Sequence, residues 1–382
     1  MIPRIHVVLI STQAVPNIIP ILDERFRPEQ VIMLVSNDML VNSKHLENIY
    51  KPRGIKVKCW PINDAWDVEH IRNRVMDLLM QYEHDSIVLN ATGGTKLMSL
   101  AAYEAFRAVN KPIFYIHPEK DRLIWLYPGE RAAADLADRI KLKEYLMAYG
   151  ADTVIRLNKA GVPVALRELT NDIIANIAKY APGLSSLNFY AAMADNNELR
   201  SPEISADMNN KHAFWQLVER FEQAGLLSRE SKRLVFMHEA ARFIVNGGWL
   251  ELYAYACCLN LKQKLRIQDV SRSLEVTRRR GSHTIMNELD VALLRDNRLY
   301  LLECKTKRYS GNNKKHDEGA EVLYKLDSIR DLLGGIQARA MLVSFNKLKK
   351  HHRDRAKELH VEYCGHEDLR FLEEKLQHWI SC

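Results

Sequence analysis

The sequence predicts an α/β protein in three parts: an open, mainly parallel sheet, a middle winged-helix-like module, and a second α/β domain. Three observations carry this. Residues 1–128 alternate short β-rich runs with helical segments, the order that builds a parallel sheet with helices on both faces. Residues 165–237 read as helices followed by two short apolar runs around a polar tip. Residues 287–305 read as two apolar runs flanking Asp296-Asn297, a pair that tolerates the positive φ of a tight hairpin turn.

In the first part, strands are expected at His6–Ile10, Val31–Ser36, Ile55–Cys59, Ser86–Asn90 and Pro112–Ile116, with an edge strand at Leu123–Tyr127. Helices are expected near Asn17–Arg25, Asp38–Tyr50, Asp67–Tyr82 and Lys96–Val109. Ligands of such sheets bind beyond the carboxyl ends of the strands. Ser11, Thr12 and Gln13 follow the first strand, Asn37 and Asp38 the second. Thr92, Gly93, Gly94, Thr95 and Lys96 follow the strand at 86–90 and open a helix. Glycines admit a close ligand, and free N–H groups at a helix start attract phosphate. Thr95 also reads simply as a helix cap. Neither Gly-x-x-x-x-Gly-Lys-Ser/Thr nor Gly-x-Gly-x-x-Gly is present, which disfavours a nucleoside-triphosphate engine and a dinucleotide oxidoreductase.

In the middle, residues 131–150 are expected to leave the sheet domain as a helix. Helices follow at Ala165–Tyr180 and Lys211–Ala224, then a wing-like pair of runs at Leu226–Ser228 and Leu234–Met237 around Arg229–Arg233. The region is read as a spacer rather than a DNA reader, because no Arg/Lys-rich recognition helix is evident.

The third part holds the chemistry. If the hairpin loop is Asp296-Asn297, Arg295 pairs with Arg298, Asp290 faces Glu303 and Glu288 faces Lys305. Period-two alternation puts Asp290, Glu303 and Lys305 on one face of the sheet. Two facing carboxylates repel, and a bound divalent cation removes that cost. Mg²⁺ or Mn²⁺ suits such oxygen ligands, can activate water and can stabilise a phosphoryl transition state. The ordinary alternative is a solvated charged face on an amphipathic hairpin.

A helix at Gly248–Leu261 carries Glu251 in its first turn, and another spans Glu318–Leu333 with Tyr324 and Lys325 on it. Arg278-Arg279-Arg280 precedes the hairpin and reads equally as a phosphate-binding stretch or a solvated loop; Lys307–Lys315 is expected in a basic loop after the hairpin, and a further strand at Ala340–Phe345. His351 and His352 are adjacent, a poor spacing for a metal site on one helix, and are read as surface charge.

Net charge is +7. From Asn246 onward there are 25 Lys and Arg against 19 Asp and Glu, and before it 30 against 29, so the excess sits with the acidic hairpin. That asymmetry suits a polyanionic substrate. No apolar stretch approaches the roughly 18 residues of a membrane span, and the N-terminus lacks a signal-peptide pattern. Six cysteines without a Cys-x-x-Cys pair fit a reduced cytoplasm.

Asp290 followed by Glu303-Cys304-Lys305, with Glu251 on a preceding helix, resembles the PD-(D/E)xK restriction-endonuclease-like nucleases. Thr92-Gly93-Gly94-Thr95-Lys96 with the small polar loop at Ser11–Gln13 resembles the CARF (CRISPR-associated Rossmann fold) domain. Together they cover the chain and resemble the single-chain CARF nucleases of type III CRISPR antiviral defence. The resemblance implies a Rossmann-like CARF domain at 1–130, a helical linker and winged-helix-like module at 131–245, and a nuclease domain at 246–382. It implies a homodimer that binds a cyclic oligoadenylate, with cyclic tetra-adenylate matching the two-fold axis, through Ser11, Thr12, Gln13, Asn37, Asp38, Thr92, Gly93, Gly94, Thr95 and Lys96. It implies Mn²⁺ or Mg²⁺ held by Asp290, Glu303 and the Cys304 carbonyl, with Lys305 and Glu251 completing a catalytic set that cuts DNA or RNA. The alternative is a ligand-responsive winged-helix regulator whose nuclease domain is inactive.

Overall fold

Apolar β-branched runs form buried strands, and amphipathic segments between them form covering helices. The computed structural model describes residues 3–194, 198–280, 283–307 and 317–382. In the first domain, strands β1 (Ile5–Leu9), β2 (Gln30–Ser36), β3 (Lys56–Ile62), β4 (Ile87–Asn90), β5 (Ile113–His117), β6 (Arg122–Tyr127) and β7 (Ala134–Asp135) form one sheet ordered β3-β2-β1-β4-β5-β6-β7. Pairing is parallel through β5, and β6 and β7 close the edge antiparallel. Helices α1 (Val15–Leu22), α2 (Leu40–Tyr50), α3 (Val68–Gln81) and α4 (Lys96–Ala108) alternate with the strands. The order reverses beside β1 and β4, so the loops after these two strands share one crevice.

The helix expected over 131–150 forms only as α5 (Leu142–Ala148). Ahead of it, the Leu136 N–H donates to the Asp121 carbonyl and the Ala137 N–H to the Asp23 carboxylate. These N–H groups are satisfied without a helix, and the segment stays extended.

β8 (Thr153–Asn158) then leaves the first domain and becomes the edge of the second sheet. The middle module packs α6 (Val164–Ala175), α7 (Ile177–Met193) and α8 (His212–Gln223) beside a hairpin of β9 (Leu227–Glu230) and β10 (Arg233–Phe236). Several of its cations are paired internally: Arg220 with Asp172 (3.0 Å), Arg200 with Glu230 (3.1 Å), and Arg229 with Glu222 (2.5 Å).

The chain continues through α9 (Glu239–Phe243), a π turn at Ile244–Gly248 and α10 (Trp249–Leu261). The second sheet contains β11 (Asp269–Arg280), β12 (His283–Arg295), β13 (Arg298–Lys305), β14 (Arg339–Ser344) and β15 (Val361–Gly365), in the order β15-β14-β13-β12-β11-β8. Helices α11 (Glu318–Gly334), α12 (Lys350–Glu358) and α13 (Leu372–Ser381) cover it. Arg278-Arg279-Arg280 forms the end of β11 rather than a solvated loop, because that stretch pairs residue by residue with the start of β12. The basic segment expected at Lys307–Lys315 falls, beyond Lys307, outside the described residues.

The sheet sorts its side chains by parity. Val291, Leu293, Tyr300, Leu302 and Cys304 join α10, α13 and the middle helices in one core. Ala292, Leu294, Leu299 and Leu301 join α11 in another, which continues without a break through α5 into the first domain. The two domains therefore share apolar interior rather than meeting at a wet interface. No helix of the described residues is long and apolar enough to cross a membrane.

Candidate active site

The β12–β13 ladder runs from Arg295↔Arg298 to Val291↔Leu302, in the register expected from the turn. Asp296 and Asn297 both have positive φ, as that turn requires. Pairing stops at Val291. At that point the Cys304 N–H donates to Asp290 Oδ2 (2.6 Å), so a carboxylate replaces the main-chain acceptor. Beyond Val291 β12 pairs only with β11 on its other edge, Glu288 against Glu275, so neither the expected Asp290–Glu303 pair nor the Glu288–Lys305 pair belongs to the β12–β13 ladder. β13 continues beside β14 through Lys305↔Ser344. Beside the end of β13 lies a cavity of about 460 Å³ lined by Asn246, Gly247, Glu251, Glu303, Lys305 and Lys325, among others.

Glu303 (6% exposed) and Lys305 line it, with Lys305 Nζ 2.6 Å from Glu303 Oε1, and Asp290 (8%) is buried behind them. Glu251 approaches from α10, across the sheet from α11. Its Oε2 is buried with no hydrogen-bond partner. Burial raises the Asp290 carboxyl to about 7, helped by the Glu303 charge. Burial likewise raises Glu251 to about 9, with Asp290 and Glu288 adding repulsion. Burial pulls Lys305 down, but the Glu303 and Asp290 carboxylates outweigh it and hold the ammonium above its ordinary range. Burial also keeps the Cys304 thiol protonated, which leaves the main-chain carbonyl as its donor for a hard cation.

The orphaned Glu251 oxygen and two protonation-prone acids fit a site that gains from a cation. The three acids do not form a closed cage. Among the described residues, only Asp317, His351 and His352 bring three candidate ligand atoms within 4.8 Å of one another. Of the two α11 residues singled out, Lys325 lines the cavity, whereas the Tyr324 hydroxyl accepts from Arg355 of α12.

Local backbone choices set this geometry. Gly247 has φ 118°, and a Cβ there would strike the Thr306 hydroxyl, one residue past Lys305. The Asn188 amide of α7 donates to that hydroxyl (3.2 Å), tying the middle module to the end of β13. Asn188, Asn246 and Thr306 carry no motif, and sequence reasoning missed them.

At the first sheet, a Cβ on Gly93 would collide with the Leu9 carbonyl, so the loops after β1 and β4 lie against each other. Ser11, Thr12, Gly94, Thr95 and Lys96 gather there, and Asn37 and Asp38 are exposed after β2. Thr92 is committed internally: its hydroxyl donates to Asn90 Oδ1 (2.6 Å) and accepts from the Ile116 N–H (2.8 Å). The Thr95 hydroxyl caps α4 by accepting from the Met98 N–H (3.1 Å). Gln13 turns to the second domain, where its amide meets Gly335 at the end of α11. The buried Asn90, whose amide donates to Pro16 O (3.0 Å) and Asn17 Oδ1 (3.1 Å), holds these loops in place and was not singled out in the sequence.

Residues 5–145 match the model of the Card1 CARF domain, and residues 237–382 that of the Card1-like endonuclease domain. The structure of protein VC1899 from Vibrio cholerae is 31% identical, with 99% of this chain and 98% of that one covered at a TM-score of 0.88. This chain belongs to the Card1-like family. Card1-like architecture also relates it to Can2 from Sulfobacillus thermosulfidooxidans, solved in complex with cyclic tetra-adenylate (26% identity, 99% of each chain, TM-score 0.81). A type III CRISPR defence DNA nuclease activated by cyclic oligoadenylate shares the Card1-like fold at 18% identity, over 90% of this chain and 45% of that one (TM-score 0.55). None of the curated proteins matches. The C-terminal domain is thus an endonuclease domain, and the cavity at the end of β13 is its candidate active site.

Proposed function

We propose that this chain is a metal-dependent nuclease, switched on when its CARF domain binds a cyclic oligoadenylate, with cyclic tetra-adenylate the favoured ring. The observation that carries the nuclease reading is the meeting of Asp290, Glu303 and Lys305 where β12 stops pairing with β13, beside a cavity lined by Glu303 and Lys305 within an endonuclease domain. The activator reading rests on the CARF match and on the likeness to Can2, crystallised with that ring.

Asp290, Glu303 and the Cys304 carbonyl would hold Mn²⁺ or Mg²⁺, which when bound supplies an acidified water and charge stabilisation at the phosphoryl group. Lys305 orients the attacking water or offsets charge on the scissile phosphate. Glu251 accepts a hydrogen bond from water in the same cleft. Ser11, Thr12, Asn37, Asp38, Thr95 and Lys96, with the amides of Gly93 and Gly94, receive the ring. Thr92 and Gln13 act behind them, Thr92 by bracing the loop and Gln13 by contacting the nuclease domain. A ring of two-fold symmetry matches a two-fold homodimer. The substrate is DNA or RNA, and the setting is the cytoplasm.

The test incubates the protein with Mn²⁺ and labelled DNA or RNA, alone and with cyclic tri-, tetra- or hexa-adenylate. Cleavage should require both the metal and one ring. Glu303→Ala should lower it at least about a hundredfold. Equal cleavage by Glu303→Ala and the parent protein eliminates the assignment.

A further inference from the structure

Asp317 directly precedes α11, and His351 and His352 open α12. Successive helical residues diverge by about 100° around the axis, so neighbouring histidines ordinarily face different ways. Here both rings turn to one carboxylate. His352 Nε2 lies 2.6 Å from Asp317 Oδ1 and His351 Nε2 3.8 Å from Oδ2. The ring centroids are 4.0 Å apart. The sequence expectation of a surface position holds for His351 and fails for His352, whose ring is buried against a group from another element.

The site is built on one side and open on the other. The His352 side chain is 3% exposed, and a Cβ on Gly319 would collide with its ring, so the imidazole is clamped. Asp317 (54%) and His351 (63%) are accessible, which leaves a path in and a free coordination position. A plain Asp–His hydrogen bond accounts for His352 but not for His351 turned to the second oxygen. Two imidazoles and a carboxylate are the ligands of a late first-row ion such as Zn²⁺, unlike the all-oxygen set at Asp290 and Glu303.

We propose that Asp317, His351 and His352 form a second metal site, which takes a zinc-class ion with water as the remaining ligand and fastens α12 to the start of α11. The role is structural. The first turns of α11 carry Glu318, Glu321, Val322 and Lys325 along the catalytic cavity, so the clip steadies one of its walls.

The test uses the full chain carrying Asp290→Ala and Glu303→Ala, which removes the acids of the catalytic site. Co²⁺ is titrated by electronic absorption, with Zn²⁺ as competitor. One Co²⁺ per chain should bind with the spectrum of an imidazole-ligated ion and be displaced by Zn²⁺ but not by Mg²⁺. Zn²⁺ should also raise the melting temperature. Outer-sphere partners of metal ligands are worth 10- to 100-fold in affinity, so loss of a ligand through His351→Ala or Asp317→Asn should weaken Co²⁺ binding at least about tenfold. His351 is exposed, so circular dichroism of its metal-free variant should match the parent. No Co²⁺ uptake by the parent, or unchanged uptake in both variants, overturns the site. The outcome is independent of whether the acids at Asp290 cut nucleic acid, which the cleavage assay decides.

Discussion

Asp290 has an ordinary side chain in an unusual position: buried, beside Glu303, and accepting from the Cys304 N–H. Its carboxyl rises to about 7, above the value in an unfolded chain. Between roughly pH 4 and 7 the folded state therefore holds a proton that the unfolded state has lost. The stability tied to that proton is complete at low pH and disappears as pH climbs through about 7. Calorimetry of the metal-free protein should show a melting temperature that falls from about pH 5.5 to about pH 8, with a shallower slope in Asp290→Asn. Mn²⁺ competes with the same proton, so its affinity by titration calorimetry should rise over that interval. The acids were legible because strand alternation fixes which residues share a face. The Asp290–Cys304 hydrogen bond was not, because nothing local announces where a ladder stops. The convergence of His351 and His352 was hidden for a similar reason: Asp317 lies more than thirty residues away in the sequence.

Among elements, the π turn before α10 is a tight fit. Gly247→Ala forces a side chain into φ 118° and against Thr306, and should cost about 1–3 kcal/mol in denaturant unfolding, with cleavage falling as the end of β13 shifts. The hairpin tip is a second fixed point. The Asn297 amide donates to Asp121 Oδ2 (2.9 Å), and Gln268 donates to Asn297 Oδ1 (2.7 Å), so the tip of the acidic hairpin is plugged into the CARF domain. Asn297→Ala strands the buried Asp121 and the half-buried Gln268 and should destabilise by about 1–3 kcal/mol in the same measurement. Asp296-Asn297 was readable as a turn from its residue types, but its docking on Asp121 was not, since turn residues are normally solvated. β11 escaped detection because polar residues and three arginines break its apolar alternation, while two flanking strands supply the pairing that propensity does not.

Across the whole molecule, sensor and nuclease touch through side chains placed at both ends of working elements. The Tyr145 hydroxyl of α5 donates to the Gly334 carbonyl at the end of α11 (2.9 Å), beside Gln13 and Gly335. Gln13→Ala should leave cyclic tetra-adenylate affinity within a few-fold of the parent yet reduce ring-stimulated cleavage, a split readable by running calorimetry and the nuclease assay side by side. The three-part order was visible from the sequence, whereas the shared interior was not, because parity along a strand does not reveal which domain packs on it. One consequence reaches past the molecule as it stands. β8 is donated from far upstream of the fragment that matches the endonuclease model, so a gene cut at residue 237 would encode a sheet whose long β11 flank lies bare. Bare strand flanks recruit foreign strands, and such a fragment should precipitate or self-associate on gel filtration. Recombination could not exchange this cutting module at that seam; a transplant would have to carry Thr153–Asn158 along with it.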